Sequence, residues 1–254
     1  IPGEPAAGRL AWYAARLEHR DPAIAADAFT EFGLASFTAV REVAGSFDAE
    51  KLRRWIAEPG IDQRRRGFYG LALGIVAAAT ADGHERERHV AALRQAVAAP
   101  ANDLRAGFDG LLAGLVVAEG GAGLDSLATL GLLAGDTRAG DARHALAVLR
   151  FAWENLADTV PRPRVAAATA RLLANPAVAA DAAVDLARYG DWSAVERVAG
   201  LWDTLGRDDP LVRRAVAGYL AACPLPAAAT HLDRLRAADP GGVRAALEAA
   251  SGPR

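Results

Sequence analysis

Apolar residues recur along this chain in steps of three, four and four behind a capping residue. The best copy starts at Asp209-Pro210, where Val212, Val216 and Leu220 follow. The same steps from Asp21-Pro22 reach Ile24, Ala28 and Phe32, and from Asn175-Pro176 they reach Val178, Ala182 and Leu186. That spacing lays the side chains along one stripe of a helix. An Asp or Asn before a Pro reads as a helix start. The short side chain accepts from a free backbone N–H, and Pro suits the first helical position. Weaker copies begin at Ile61 (Arg64, Phe68, Ala72), at Ala101 after Pro100 (Leu104, Phe108, Leu112), at Asp141 (His144, Val148, Ala152) and at Asp239-Pro240 (Val243, Leu247).

These starts, at 21, 61, 101, 141, 175, 209 and 239, are spaced by 40, 40, 40, 34, 34 and 30 residues. A near-constant period in that range is the mark of stacked helix pairs. A first helix is predicted before each second one, over 8–18, 47–57, 83–98, 124–133, 164–173, 192–205 and 226–237. The helix from Trp192 opens on Ser193-Ala194-Val195-Glu196, which matches a capping box. Glu58-Pro59-Gly60, the glycines from Gly120 to Gly123, and the stretch from Gly135 to Gly140 read as breaks. No segment alternates apolar and polar residues, so no sheet is expected. The expected fold is all-α: a right-handed α-α superhelix of about seven antiparallel helix pairs, filling one domain over 1–254. Pro161 and Pro163 mark a bend near 160–163, where the period shortens.

The Asp-Pro-x-Val/Ile pattern, with apolar residues four and eight positions later, resembles the HEAT-repeat family of α-solenoids. It is clearest at Asp21, Asn175 and Asp209. An Arg commonly follows the Val in such repeats; Arg213 matches it, while Ala25 and Ala179 replace it. The resemblance implies a curved, non-enzymatic scaffold that binds a protein or peptide on its concave face. Some HEAT-like proteins are DNA glycosylases that cradle the duplex on a basic concave face, and this supplies the alternative expectation.

Composition agrees with a folded helical chain. Of the 254 residues 52% are hydrophobic, largely Ala and Leu, and 24% are charged. The formal net charge of −2 speaks against a general nucleic-acid binder, which would carry excess cations. Lys51 is the only lysine. That bias points to a GC-rich genome and a bacterial source. Cys223 is the only cysteine, which excludes an intrachain disulfide and a cysteine-built zinc site; it reads as a small buried residue. The uncharged run from Gly67 to Ala81 covers about 22 Å as a helix, short of a bilayer core, and reads as a buried helix. The chain begins at Ile1 and has no Met, so its N-terminus is expected to be trimmed. A cytoplasmic location is favoured, with an exported form left open.

Catalytic constellations are scarce. His84 and His89 flank Glu85-Arg86-Glu87-Arg88, but five residues apart they sit about 140° apart around a helix and cannot share one ion. The segment reads as a solvated, charge-paired first turn. His144 falls on an apolar stripe and reads as a core or boundary residue. No serine lies in a nucleophile elbow, and Gly120 to Gly123 lacks the features of a phosphate loop. No cofactor and no metal are expected. The tryptophans are expected mostly in the core. The most functional-looking feature is basic: Arg53 and Arg54, then Arg64, Arg65 and Arg66, with Tyr69, Trp55 and Phe68 nearby. It is a candidate anion or phosphate patch, although Asp48, Glu50, Glu58 and Asp62 stand close enough to neutralise much of it.

Overall fold

A computed structural model describes residues 6–99 and 105–251. Among them are fifteen α-helices, three short 3-10 turns and no strand. The chain divides into two compact units, residues 1–126 with 151–160, and residues 127–150 with 161–254.

The first unit contains α1 (Ala6–Ala14), α2 (Pro22–Leu34), α3 (Phe37–Glu42), α4 (Ala49–Ala57), α5 (Gln63–Ala79), α6 (Gly83–Ala98) and α7 (Phe108–Glu119). Helix α8 (Gly121–Thr129) and helix α9 (Ala139–Asn155) each contribute residues to both units. The second unit continues with α10 (Arg162–Arg171), α11 (Ala179–Tyr189), α12 (Val195–Gly200), α13 (Pro210–Ala222), α14 (Pro226–Ala238) and α15 (Pro240–Ser251).

Short acceptor side chains start many of these helices. Asp21 accepts from Ala23 N at 2.9 Å, Asp62 from Arg64 N at 3.0 Å, Asp82 from His84 N at 2.8 Å and Asp209 from Leu211 N at 2.8 Å. Each such cap is worth about 1 kcal/mol. The stripe behind Asp209 is buried as expected, at Val212, Val216 and Leu220.

Other starts are displaced. Behind Asp21 the buried positions are Ala25, Ala28 and Phe32, while Ile24 is exposed. Asn175 does not cap a helix that begins at Pro176. Its carbonyl oxygen accepts from Ala177 N, its amide donates to Thr137 O at 2.8 Å, and α11 begins four residues later. Buried and bonded on both sides, Asn175 ties a turn to the 134–137 loop. Asp141 lies inside α9. The Ser193 hydroxyl bonds Asp191, so no capping box forms, and α12 is only six residues long. Gly121 and Gly123 belong to α8; only Gly120, with φ of 60°, breaks the chain there. Of the copy that starts at Ala101, Ala101 and Leu104 lie outside the described residues, while Phe108 and Leu112 are buried on α7.

The core of the first unit is built on α5 and α7, which touch backbone to backbone. Gly67, Gly70 and Gly74 form a stripe on α5, and Gly110 and Gly114 form one on α7. A Cβ added to Gly74 would lie 2.1 Å from the Gly114 carbonyl oxygen. One added to Gly114 would lie 2.1 Å from that of Gly70, and one on Gly110 would lie 2.4 Å from that of Gly67. Gly107, just before α7, has φ of 76°, a conformation open to glycine at little cost. The uncharged run therefore is a buried helix, and its glycines are what allow the approach.

An aromatic cluster fills the next layer. Phe32 packs on Phe68 and Phe47 with ring centroids 5.0 and 5.4 Å apart, and Trp55 packs on Tyr69 at 4.8 Å. Of the five tryptophans only Trp202 is buried; Trp55, Trp153 and Trp192 are half-buried and Trp12 is 46% exposed. Ala supplies much of the core in their place, which brings helix axes closer than bulky rings allow. Cys223 is buried at the end of α13.

Candidate functional site

The five arginines of the candidate patch lie on two helices, and their side chains go to different places. Arg53 turns from α4 towards α6. Its guanidinium donates to Glu85 at 3.0 Å, to Nδ1 of His89 at 2.5 Å and to Glu50. A guanidinium only donates, so His89 Nδ1 accepts and Nε2 carries the proton. Nε2 stands 3.7 Å from Glu85, which also receives Arg88 at 2.7 Å. His89 is 1% exposed. Burial, reinforced by the Arg53 charge, holds its pKa below the ordinary histidine value. The Arg53 hydrogen bond holds Glu85 below the carboxylate range. The segment from His84 to His89 is thus charge-paired, but its last residue is buried beneath α4 and not solvated.

Arg65 pairs with Glu18 at 3.3 Å, and the Tyr69 hydroxyl donates to the same carboxylate. Tyr69 is fully buried, and burial raises its pKa above the ordinary range. It is an anchor between α5 and the turn after α1, not a surface aromatic. Arg66 donates to the Glu58 carbonyl at 2.7 Å, while its Nε is buried without a partner. Arg54 and Arg64 are exposed. No single basic face gathers all five.

A cleft of about 370 Å³ lies in the first unit, among α4, α5, α6 and α7. Its floor is apolar: Ile56, Ala92, Ala96, Phe108 and Leu111. Gln63, Gln95, Arg66 and Arg105 supply the polar groups. The Arg105 guanidinium stacks 3.4 Å over the Phe108 ring and donates to the Val97 carbonyl at 3.3 Å. Gln63 accepts from Ala106 N at 3.0 Å, which holds the chain before α7 against the start of α5. Of these residues only Arg66 stood out in the sequence. Phe108 had been placed on a core stripe. The pair Ala92 and Ala96, one helical turn apart on α6, is the signal that a groove runs there.

Two smaller clefts carry both signs of charge. One, of about 260 Å³, is lined by Glu18 and Asp48 together with Lys51, Arg54 and Trp55. The other, of about 240 Å³, is lined by Glu87 and Glu119 together with Arg86 and Arg94. Among the described residues no three His, Cys, Asp or Glu side chains gather closely enough to hold a metal ion. No helix among them is long and apolar enough to cross a membrane. No family model, curated protein or solved structure matches the chain.

Proposed function

We propose that this chain is a HEAT-like α-solenoid that binds a protein or peptide partner on the concave face of its stacked helices. The observation that carries this reading is the packing of alternate helices. Helix α5 lies against α7 with α6 beside both, α11 lies against α13, and α13 lies against α15 with α14 beside both. Contact between every second helix is what a stack of helix pairs requires. Consecutive helices also touch, α1 with α2, α4 with α5, α6 with α7, α10 with α11, α12 with α13 and α14 with α15, which supports the helix pairs expected from the period. Arg213 supports the same reading. It stands in the clearest copy of the motif and bonds Asp239, where the next copy starts, at 2.9 Å.

The nucleic-acid alternative needs the arginines at 53–66 to converge. Arg53 and Arg65 are instead held by Glu50, Glu85 and Glu18. Carboxylates at that distance cancel most of the field a phosphate backbone would feel.

Selection from a random peptide library, followed by hydrogen exchange of the complex, tests the proposal. It expects enriched peptides that slow amides on adjacent helices of one face. An electrophoretic shift of duplex DNA at low salt, with no enriched peptide, would reverse the choice between the two readings.

A further inference from the structure

We propose that α3 is a built-in stand-in for the partner. It covers a patch made by Phe151 and Asp158, and the partner displaces it with the same chemistry: an aromatic side chain and, four residues later, an arginine. This rests on the scaffold reading and gives the partner its chemistry.

Two observations carry it. The first is that α3 is an insertion. The link from α2 to α4 runs over residues 35–48, where helices of a bundle are joined by roughly two to eight residues. The second is where α3 reaches. The Phe37 ring meets the Phe151 ring edge to face, with centroids 4.9 Å apart, and Arg41 donates to Asp158 at 3.2 Å. Both contacts lie inside the first unit. The bond from Arg41 spans 117 residues, against 26 for Arg213 to Asp239 and 35 for Arg150 to Asp185, which link successive parts of the stack. Helices α4 to α7 stand between α3 and α9 in the chain. In a curved stack, members that are not neighbours come closest across the inside of the curve, so this bridge belongs to the concave side.

The bridge suits exchange. Val40 is buried and anchors α3, whereas Phe37 is half-buried and the Arg41 and Asp158 side chains are 45% and 54% exposed. An ion pair so open to water holds weakly and is screened by salt. The Arg41 guanidinium also lies 5.7 Å from the Phe37 ring, so the two side chains present one surface. Residues four apart share a helix face, and a partner helix with that spacing reproduces the surface.

The test uses a fluorescein-labelled copy of residues 34–44, Leu-Ala-Ser-Phe-Thr-Ala-Val-Arg-Glu-Val-Ala, titrated by fluorescence anisotropy against the full chain. Phe37→Ala/Arg41→Ala clears the patch and should bind the copy about tenfold more tightly than the unsubstituted protein does. A copy with Glu in place of Arg should bind the cleared protein about fivefold more weakly, and adding Asp158→Arg should reverse that preference. The inference fails if the cleared protein, with its helical circular dichroism intact, does not saturate with the copy by about 1 mM, if both proteins bind it alike, or if Asp158→Arg leaves the preference unchanged. Should the cleared protein lose its helical signal, hydrogen exchange on the unsubstituted protein decides: peptides selected from the library should slow amides of 151–160 and speed those of α3. Library peptides that leave both segments unchanged would remove this inference and leave the scaffold reading standing. A library that yields no peptide at all would remove the scaffold reading itself.

Discussion

Gly114→Ala tests the contact on which the first unit is built. The added methyl would sit 2.1 Å from the Gly70 carbonyl oxygen and 2.6 Å from its carbon, where ordinary contact begins near 3.4 Å. The obstacle is backbone, so no side chain can rotate away, and α5 and α7 must part by roughly 1 Å. Overpacking of that kind costs about 1–3 kcal/mol, and an unyielding neighbour puts it at the upper end. Alanine offsets about 1 kcal/mol through its better helix propensity. The net loss should be about 2 kcal/mol, or about 4–8 °C in Tm. Gly33→Ala is the control. It is the same chemical change on an exposed helical face with nothing within 4 Å, so only the propensity gain applies. It should stabilise by up to about 1 kcal/mol. Urea unfolding followed by far-ultraviolet circular dichroism measures both. The double variant Gly74→Ala/Gly114→Ala should lose less than the sum, because one separation of the helices relieves both clashes. If Gly114→Ala matches or exceeds the unsubstituted protein, the two helices do not touch as described.

Three further predictions follow from other parts of the chain. His89 is buried neutral with its pKa held below the ordinary 6.5, among Arg53, Arg88, Glu85 and Glu50. The unfolded chain therefore binds the extra proton first, so stability should be full above about pH 6.5 and decline as the pH falls below it. His89→Gln should flatten that slope in unfolding curves taken between about pH 7 and pH 5. In the second unit Asp185 is 1% exposed and bonded to Arg150 at 2.5 Å, with Arg188 at 3.5 Å. Arg150→Ala leaves a buried carboxylate poorly paired and should cost about 2–4 kcal/mol, whereas Asp185→Asn, which frees a half-exposed Arg to reach water, should cost about 1 kcal/mol. Asp209→Ala removes the bond to Leu211 N and should lower stability by about 1 kcal/mol, read from the midpoint of denaturant unfolding.

Helix positions were legible wherever an Asp stood free to cap and the apolar stripe was clean, as at Asp209. They were misplaced where a polar side chain found another partner, distant for Asn175 and two residues away for Ser193. Asn175 turned to the 134–137 loop, and Ser193 turned to Asp191. Glycine was the least readable residue. Gly120 breaks a helix, while Gly70 and Gly74 sit inside one because another backbone presses against them. Nothing within α5 announces its neighbour; the matching glycines of α7 lie some forty residues on. The basic patch failed to gather for a related reason. Nearness in sequence does not place residues on one face, and Arg53, Arg65 and Arg66 leave their helices towards α6, the α1 turn and the α4–α5 turn. The cleft that does form draws on four helices, so no local motif could announce it.

The central claim is that these helices form a stack of pairs, each held mainly by its neighbours. Removing the last pair, α14 and α15, by ending the chain after Cys223 tests this most directly, with thermal unfolding followed by circular dichroism. A stack should lose helical signal in proportion to the residues removed and keep a cooperative transition at a lower temperature. Loss of cooperative unfolding throughout the shortened chain would contradict the account.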